Sequence, residues 1–307
     1  MSTTAAELPP LRITFGADAT GVFDAGLPVL AGETVEDLFG AARPAGRVGG
    51  LALFTAGDWL LGAATVPLTA GLENAAHGLY RNIFTAAHGR HLARIWNYVP
   101  AINETGPDGL ENYRAFCRGR SLAFEEHYGS GFKVVLPSAS AVGSQAAALT
   151  VVFAACSGPL RHVENPLQVP AYDYPPDYGP RAPSFARATV VPGTGAATVF
   201  ISGTAAIRGH ATIAPHSTRL QLECALENLQ AISAACGLGP GLAAGSGATR
   251  HFKVYVRHAA DQALVEAILQ ERLLTDTDRV SYVQSDICRA SLLVEIEASL
   301  FGVAGVG

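Results

Sequence analysis

A chain of 307 residues, 49% hydrophobic and only 15% charged, has room for a large core, either one large domain or two of about 150 residues. Its formal net charge of −5 argues against a general affinity for nucleic acid or anionic membrane, and no uninterrupted apolar run reaches membrane-spanning length. The cysteines (Cys117, Cys156, Cys224, Cys236, Cys288) are odd in number and scattered, and the histidines form no HExxH cluster, so reduced thiols in a cytoplasmic setting and no bound metal are expected.

Residues 1–9 read as a frayed tail without the basic-then-apolar layout of a signal peptide. Leu11 to Phe15 reads as a first strand, and residues 47–66 as a β-hairpin turning near Ala56-Gly57-Asp58. Leu72, Ala76, Leu79, Ile83 and Ala87 recur at helical spacing, which predicts a helix over 71–90. A strand from Leu92 to Val99 stops at Pro100, and a loop over 101–109 leads to a second helix over 110–128. Strands are expected over 133–136 and 146–155.

The stretch 164–192 differs in composition. Its prolines (166, 170, 175, 176, 180, 183 and 192) exclude a helix or an inner strand, while Tyr172, Tyr174, Tyr178 and Phe185 are too aromatic for a flexible linker. It reads as an ordered segment lying over something. The order of elements then repeats: a strand over 197–202, a helix over 217–236, a strand over 250–256, a helix over 260–273, and 279–286 leading to the last strand. Trp96-Asn-Tyr-Val99 aligns with Lys253-Val-Tyr-Val256, and Leu149 to Cys156 with Leu292 to Ser299. The simplest architecture is α+β, a twofold repeat with residues 1–160 and 193–307 as the units and 161–192 as the connecting segment.

The last strand, Ser291 to Ser299, alternates Leu292, Val294, Ile296 and Ala298 with Leu293, Glu295, Glu297 and Ser299. Its two carboxylates therefore share a face, roughly 6–7 Å apart. If that face is solvated they are ordinary; if it points inward, one of them must be paired or stay protonated, and a neutral carboxyl is a general acid. In the repeat alignment Glu295 falls opposite Val152 and Glu297 opposite Ala154, so a single catalytic centre is expected, with alternation unable to choose between the two acids.

The second half is similar to the Rid-type (YjgF-like) fold of enamine and imine deaminases, on residues 221–237, 252–273 and the ending Val294 to Ala298. That resemblance implies two tandem Rid-like units, each a mixed sheet with two helices on one face. Rid deaminases grip a carboxylate with an arginine early in the penultimate strand; Tyr282 stands nearest here, which counts against deamination.

A closer likeness covers most of the chain. Arg94 to Asn103, Glu111 to Arg120, Glu164 to Tyr172, Tyr178 to Arg187, Ser202-Gly-Thr-Ala205, Gly209-His210, and Cys288-Arg289 with Glu295 resemble, in order, the motifs of the chorismatase family. The resemblance implies cleavage of chorismate to pyruvate plus 3-hydroxybenzoate, or to a dihydroxycyclohexadiene carboxylate by hydrolysis, without a cofactor. Chorismate's two carboxylates need two cationic grips, for which Arg120 and Arg181 are the candidates and Arg94 and Arg187 the second choices. Tyr113 is placed to hydrogen-bond a substrate carboxylate, Tyr172 and Tyr178 belong to the same motifs, and His210 is read as a structural residue of the pocket loop. The resemblance favours Glu295 as the acid. Cys288 leans towards the hydroxybenzoate product and Ala206 towards the diol. Free-standing Rid-like domains assemble as trimers because their clefts form between subunits; a fused pair supplies a cleft within one chain, so a monomer is expected. A Rid-type deaminase and a non-catalytic metabolite-binding protein are the alternatives.

Overall fold

The computed structural model describes residues 11–15, 23–37, 39–40 and 42–306; the tail read over residues 1–9 lies outside them. Four short strands come first, β1 (Arg12–Thr14), β2 (Phe23–Asp24), β3 (Val29–Gly32) and β4 (Val35–Asp37). The first unit follows as β5 (Arg43–Val48), β6 (Leu51–Ala56), β7 (Trp59–Pro67), α1 (Leu72–Ala86), β8 (His91–Pro100), α2 (Asn112–Tyr128), β9 (Ser138–Ser144) and β10 (Ala148–Cys156). The second comprises β11 (Arg161–Val163), β12 (Ala188–Val191), β13 (Ala197–Ala205), the small pair β14 (Ile207–Arg208) and β15 (Ala211–Thr212), α3 (Thr218–Cys236), β16 (Thr249–Val256), α4 (Gln262–Arg272), β17 (Arg279–Gln284) and β18 (Val294–Val303).

The two large sheets run β5-β6-β7-β10-β8-β9 and β11-β12-β13-β18-β16-β17-β3. Over six positions the orders correspond, β3 being the extra strand of the second, and in each the strand after the first helix lies parallel to the strand after the second. The α+β fold of two tandem units, each a mixed sheet with two helices on one face, is therefore present. Sheet membership crosses the boundaries drawn from sequence, because β3 forms the outer edge of the second sheet and β11 and β12 lie within 161–192.

Helices cover the outer faces. Tyr80 and Ile83 of α1 and Phe116 and Phe124 of α2 pack on Ile95, Val151 and Phe153, while Leu222 and Leu229 of α3 and Leu269 of α4 pack on Val199, Val254 and Ile296. Ser217 starts α3 by accepting a hydrogen bond from the Leu220 N–H. The inner faces meet each other: Trp96, Tyr98, Val152 and Ala154 bury against Phe200, Tyr255 and Val283. Each such aromatic removes roughly 150–250 Å² from water, on the order of 4–6 kcal/mol of apolar burial. The β9 edge is stitched to the second sheet by the Ser138 N–H on Thr189 Oγ1 and the Ala139 N–H on Ser202 Oγ, both at 2.9 Å.

Two local expectations are corrected. Residues 132–135 form a 3-10 turn rather than a strand, with Val134 81% exposed, because Gly129 and Gly131 break the chain before the apolar run. The neighbouring strand is instead β9, whose small residues (Ser138-Ala-Ser-Ala-Val-Gly-Ser144) give no apolar alternation to read. Ala188–Val191 is an inner strand inside the proline-rich stretch, formed where the prolines are absent between 184 and 191.

Candidate active site

A cavity of about 510 Å³ opens between β9, α2 and the proline–tyrosine segment on one side and the β13–β18 end of the second sheet on the other. The small side chains of Ala139, Ser140 and Ala141 form one wall, so the strand that had no apolar signature is the one that leaves space. Glu295 of β18 lines the cavity.

The alternation of β18 does put both acids on one face, and that face points inward: Glu295 is 4% exposed and Glu297 1%. Their surroundings separate them. Arg94 Nη2 donates to Glu297 Oε2 at 2.6 Å, and Lys253 Nζ lies 2.6 Å from Glu297 Oε1. Burial would push the Glu297 carboxyl up, but Lys253 and Arg94 outweigh it and hold it down to about 2. Glu295 has no cation within 4.0 Å among the described residues. Burial, reinforced by ionised Glu297, pushes its carboxyl up to about 8, against the weaker pull of Arg94 and Arg187. One acid is thus an ion-pair member and the other a neutral proton carrier at pH 7.

Gly203 of β13 makes room for that carrier. A Cβ at this position would collide with Glu295 Oε1 and Cδ, so any larger residue displaces the carboxyl.

Four guanidinium groups line the same cavity, one of them, Arg114, paired with Glu111 at 3.3 Å. Arg120, projecting from α2, is 1% exposed, lies over the Phe116 ring and has no carboxylate partner among the described residues. Gly119 beside it lets α2 press against α1, since a Cβ there would meet the Glu73 carbonyl. Arg187 donates to the Tyr174 hydroxyl at 2.8 Å and stands 4.0 Å from Glu164, whose carboxyl burial pushes up to about 7 against the pull of Arg187. Arg289 donates to the His210 carbonyl at 2.8 Å and stacks 4.2 Å from the Tyr178 ring centroid. Tyr113 and Tyr178 complete this polar rim, with the Tyr178 hydroxyl 3.1 Å from His210 Nδ1. A partly open, mostly apolar space with several cations and a buried carboxyl of raised proton affinity suits a compact polyanion whose chemistry begins with protonation.

Comparison with known proteins identifies the family. Residues 39–155 match the family model described as Chorismatase FkbO/Hyg5-like, N-terminal. The chain is 40% identical over 252 residues to a 3-hydroxybenzoate synthase of Streptomyces hygroscopicus, spanning 78% of this chain and 73% of that protein. It is 37% identical over 274 residues to a chorismatase of the same organism, spanning 86% and 79%. The chain belongs to the chorismatase family. A crystal structure of a chorismatase superposes with a TM-score of 0.80 at 32% identity, over 95% of this chain and 92% of that one.

Not every residue singled out by family likeness reaches the cavity of this chorismatase-family member. Glu295, Cys288, Arg120, Tyr113 and Tyr178 do. Arg181 does not: its Nη1 is bound to Glu125 at 2.5 Å on the half-exposed flank of α2, and its charge is spent there. Tyr172 lies under Lys133 outside the lining, and Ala206 is fully buried behind Ala205 and Ile207, which do line the space. Arg94 is consumed by Glu297. Cys288 carries a thiol pushed up to about 12 by burial and by Glu295, so it is neutral at physiological pH. Tyr282, nearest to the Rid arginine in sequence, packs in the outer core of the second unit.

Arg187, a second-choice grip, and Arg289, known from sequence only as part of the Cys288-Arg289 motif, line the cavity, and behind it stands Lys253. A signal existed for the last: a single lysine inside the apolar run Phe252-Lys-Val-Tyr-Val256 must find an anion when that run is buried. For Arg187 and Arg289 the deciding fact is which carboxylates stand near them, which sequence does not carry.

Proposed function

We propose that this cavity cleaves the enolpyruvyl ether of chorismate with Glu295 as general acid and no cofactor. The observation that carries the reading is the contrast within β18, where the paired Glu297 and the raised, cavity-facing Glu295 sit two residues apart. Arg120 and Arg187 grip the two carboxylates, with Arg289, Tyr113 and Tyr178 orienting the ring. Glu295 protonates the methylene carbon of the enol ether, leaving an oxocarbenium ion. Attack by the neighbouring ring hydroxyl, loss of a ring proton and release of the side chain give pyruvate and 3-hydroxybenzoate with no net water consumed. Capture of the cation by water instead gives pyruvate and the dihydroxycyclohexadiene carboxylate.

The 3-hydroxybenzoate course is the one proposed here. Cys288 lines the cavity as a neutral, weakly polar wall, whereas Ala206, which leaned the other way, does not reach it. We place the enzyme in the cytoplasm as a monomer: all five cysteines are free, and the cavity is walled by both units of one chain. No helix of the described residues is long and apolar enough to cross a membrane.

Incubation with chorismate, with pyruvate release coupled to lactate dehydrogenase, tests the reaction, and chromatography of the aromatic fraction tests the product. Absence of pyruvate above the buffer control would leave a binding protein or a deaminase in its place. Two variants follow from the geometry. Gly203→Ala forces Glu295 out of position, and turnover is expected to fall roughly 10²-fold in a protein of unchanged circular dichroism. Arg181→Ala breaks only a half-exposed ion pair, so its KM for chorismate is expected to stay within about twofold of the parent. A large rise in KM would return Arg181 to the site.

A further inference from the structure

We infer that a buried quartet of charges, Arg94, Glu297, Lys253 and Glu36, sets the proton affinity of Glu295 and with it the pH range over which the enzyme works. The four side chains come from β8, β18, β16 and β4 and are each at most 2% exposed. Lys253 Nζ lies 2.6 Å from both Glu297 and Glu36, Arg94 donates to Glu297 at 2.6 Å and to Ser140 Oγ at 3.0 Å, and Ser299 donates to Glu36 at 2.9 Å. None of the four lines the cavity.

Stability alone gives no reason for this arrangement. Well-packed apolar residues commonly replace a buried ion cluster at no cost, because desolvating the charges offsets their attraction. Position supplies the reason. Glu297 is the anion two residues along the strand from Glu295, roughly 6–7 Å away, and in a water-poor interior that separation is strongly felt. The groups nearest Glu295 besides it are Arg94 from β8, Arg187 from the segment before β12, Cys288 after β17 and Tyr255 opposite it on β16. Arg120, Arg114, Glu111 and Tyr113 from α2 and its N-terminal end, Tyr174, Asp177 and Tyr178 from the proline–tyrosine segment, and Arg289 line the same cavity. Arg94 and Arg187 favour losing the proton, and ionised Glu297 favours keeping it. Lys253 tempers Glu297, and Glu36 tempers Lys253. The N-terminal strands thus reach the reaction indirectly, through one carboxylate, and all four residues act as positioning groups rather than catalytic ones.

The inference rests on Glu295 being the acid, and the test separates the two. In the full-length protein, the pH profile of kcat/KM for chorismate is measured for the parent, Glu297→Gln, and the double variant Lys253→Met/Glu36→Gln. Removing the anion should move the alkaline limb about one pH unit or more to lower pH; removing the Lys253–Glu36 pair leaves Glu297 less compensated and should move the limb to higher pH. Glu297→Gln leaves two buried cations facing a neutral amide and can fail to fold, whereas the double variant deletes one charge of each sign and carries the test alone if it must. Shifts of opposite sign, or an upward shift in the double variant by itself, support the inference. Limbs that stay put while rates or Tm fall, or failure of both variants to fold, mark the quartet as a structural clamp and overturn it. Retained turnover in Glu295→Gln would instead remove the acid itself.

Discussion

Glu295→Gln is expected to lower pyruvate release about 10²–10⁴-fold and, at pH 7, to make the protein more stable. The first effect follows because the amide keeps the shape of the carboxyl and has no proton acidic enough for a methylene carbon. The second follows from linkage. In the fold the Glu295 carboxyl is pushed up to about 8, while an unfolded glutamate titrates at about 4.3. Between these values the unfolded chain releases a proton that the folded one retains, so the native state loses stability as pH rises from about 4 to 8. Gln has no such proton, so the variant should gain on the order of 1–3 kcal/mol over the parent at pH 7 and nothing at pH 4. Thermal melts at the two pH values, beside the coupled assay, check both. Unchanged turnover would remove Glu295 as the acid, and a parent whose relative stability is flat across this window would show that the carboxyl is not held neutral. The same titration predicts an alkaline fall in parental activity near pH 8.

Arg120→Met should raise the KM for chorismate by about 30- to 1,000-fold, equivalent to roughly 2–4 kcal/mol for a buried hydrogen-bonded charge pair. The free enzyme holds this guanidinium in the interior against Phe116, 3.8 Å from Cys117 Sγ, with no carboxylate partner among the described residues. A buried cation without its anion is costly, and the substrate carboxylate supplies what the protein withholds. Removing it should therefore leave the melting temperature of the free protein unchanged or higher while abolishing the stabilisation that added chorismate gives the parent. Initial rates and thermal shifts with and without chorismate measure both quantities. Arg120→Lys should recover only part of the binding, since an ammonium lacks the planar fork. An unchanged KM would move the grip to Arg187 and Arg289.

Much of this was legible in the chain. The repeat was visible because helical and strand periods are local properties, and the two sheets share their strand order. The residue register of the alignment does not carry over, since Trp96 pairs with Val152 whereas Lys253 pairs with Glu297, two positions beyond the Glu295 that was set against Val152. The 3-10 turn at 132–135 and the strand at 138–144 were misjudged because hydrophobic run length stood in for packing, and the small residues of β9 are explained only by the cavity beside them.

By itself the sequence determined that two carboxyls share one face of the final strand, that Arg120 lies on a helix beside Phe116, Cys117, Ala123 and Phe124, and which family supplies the motifs. Only the tertiary structure decided which carboxyl keeps its proton, that Arg181 is neutralised by Glu125 while Arg187 and Arg289 reach the cavity, and that Lys253 and Glu36 stand behind the acid. The physical reason is range. Alternation and helical spacing act over a few residues, but the charge state of a buried group depends on its neighbours in space, and Arg94 meets Glu297 across 203 positions of chain.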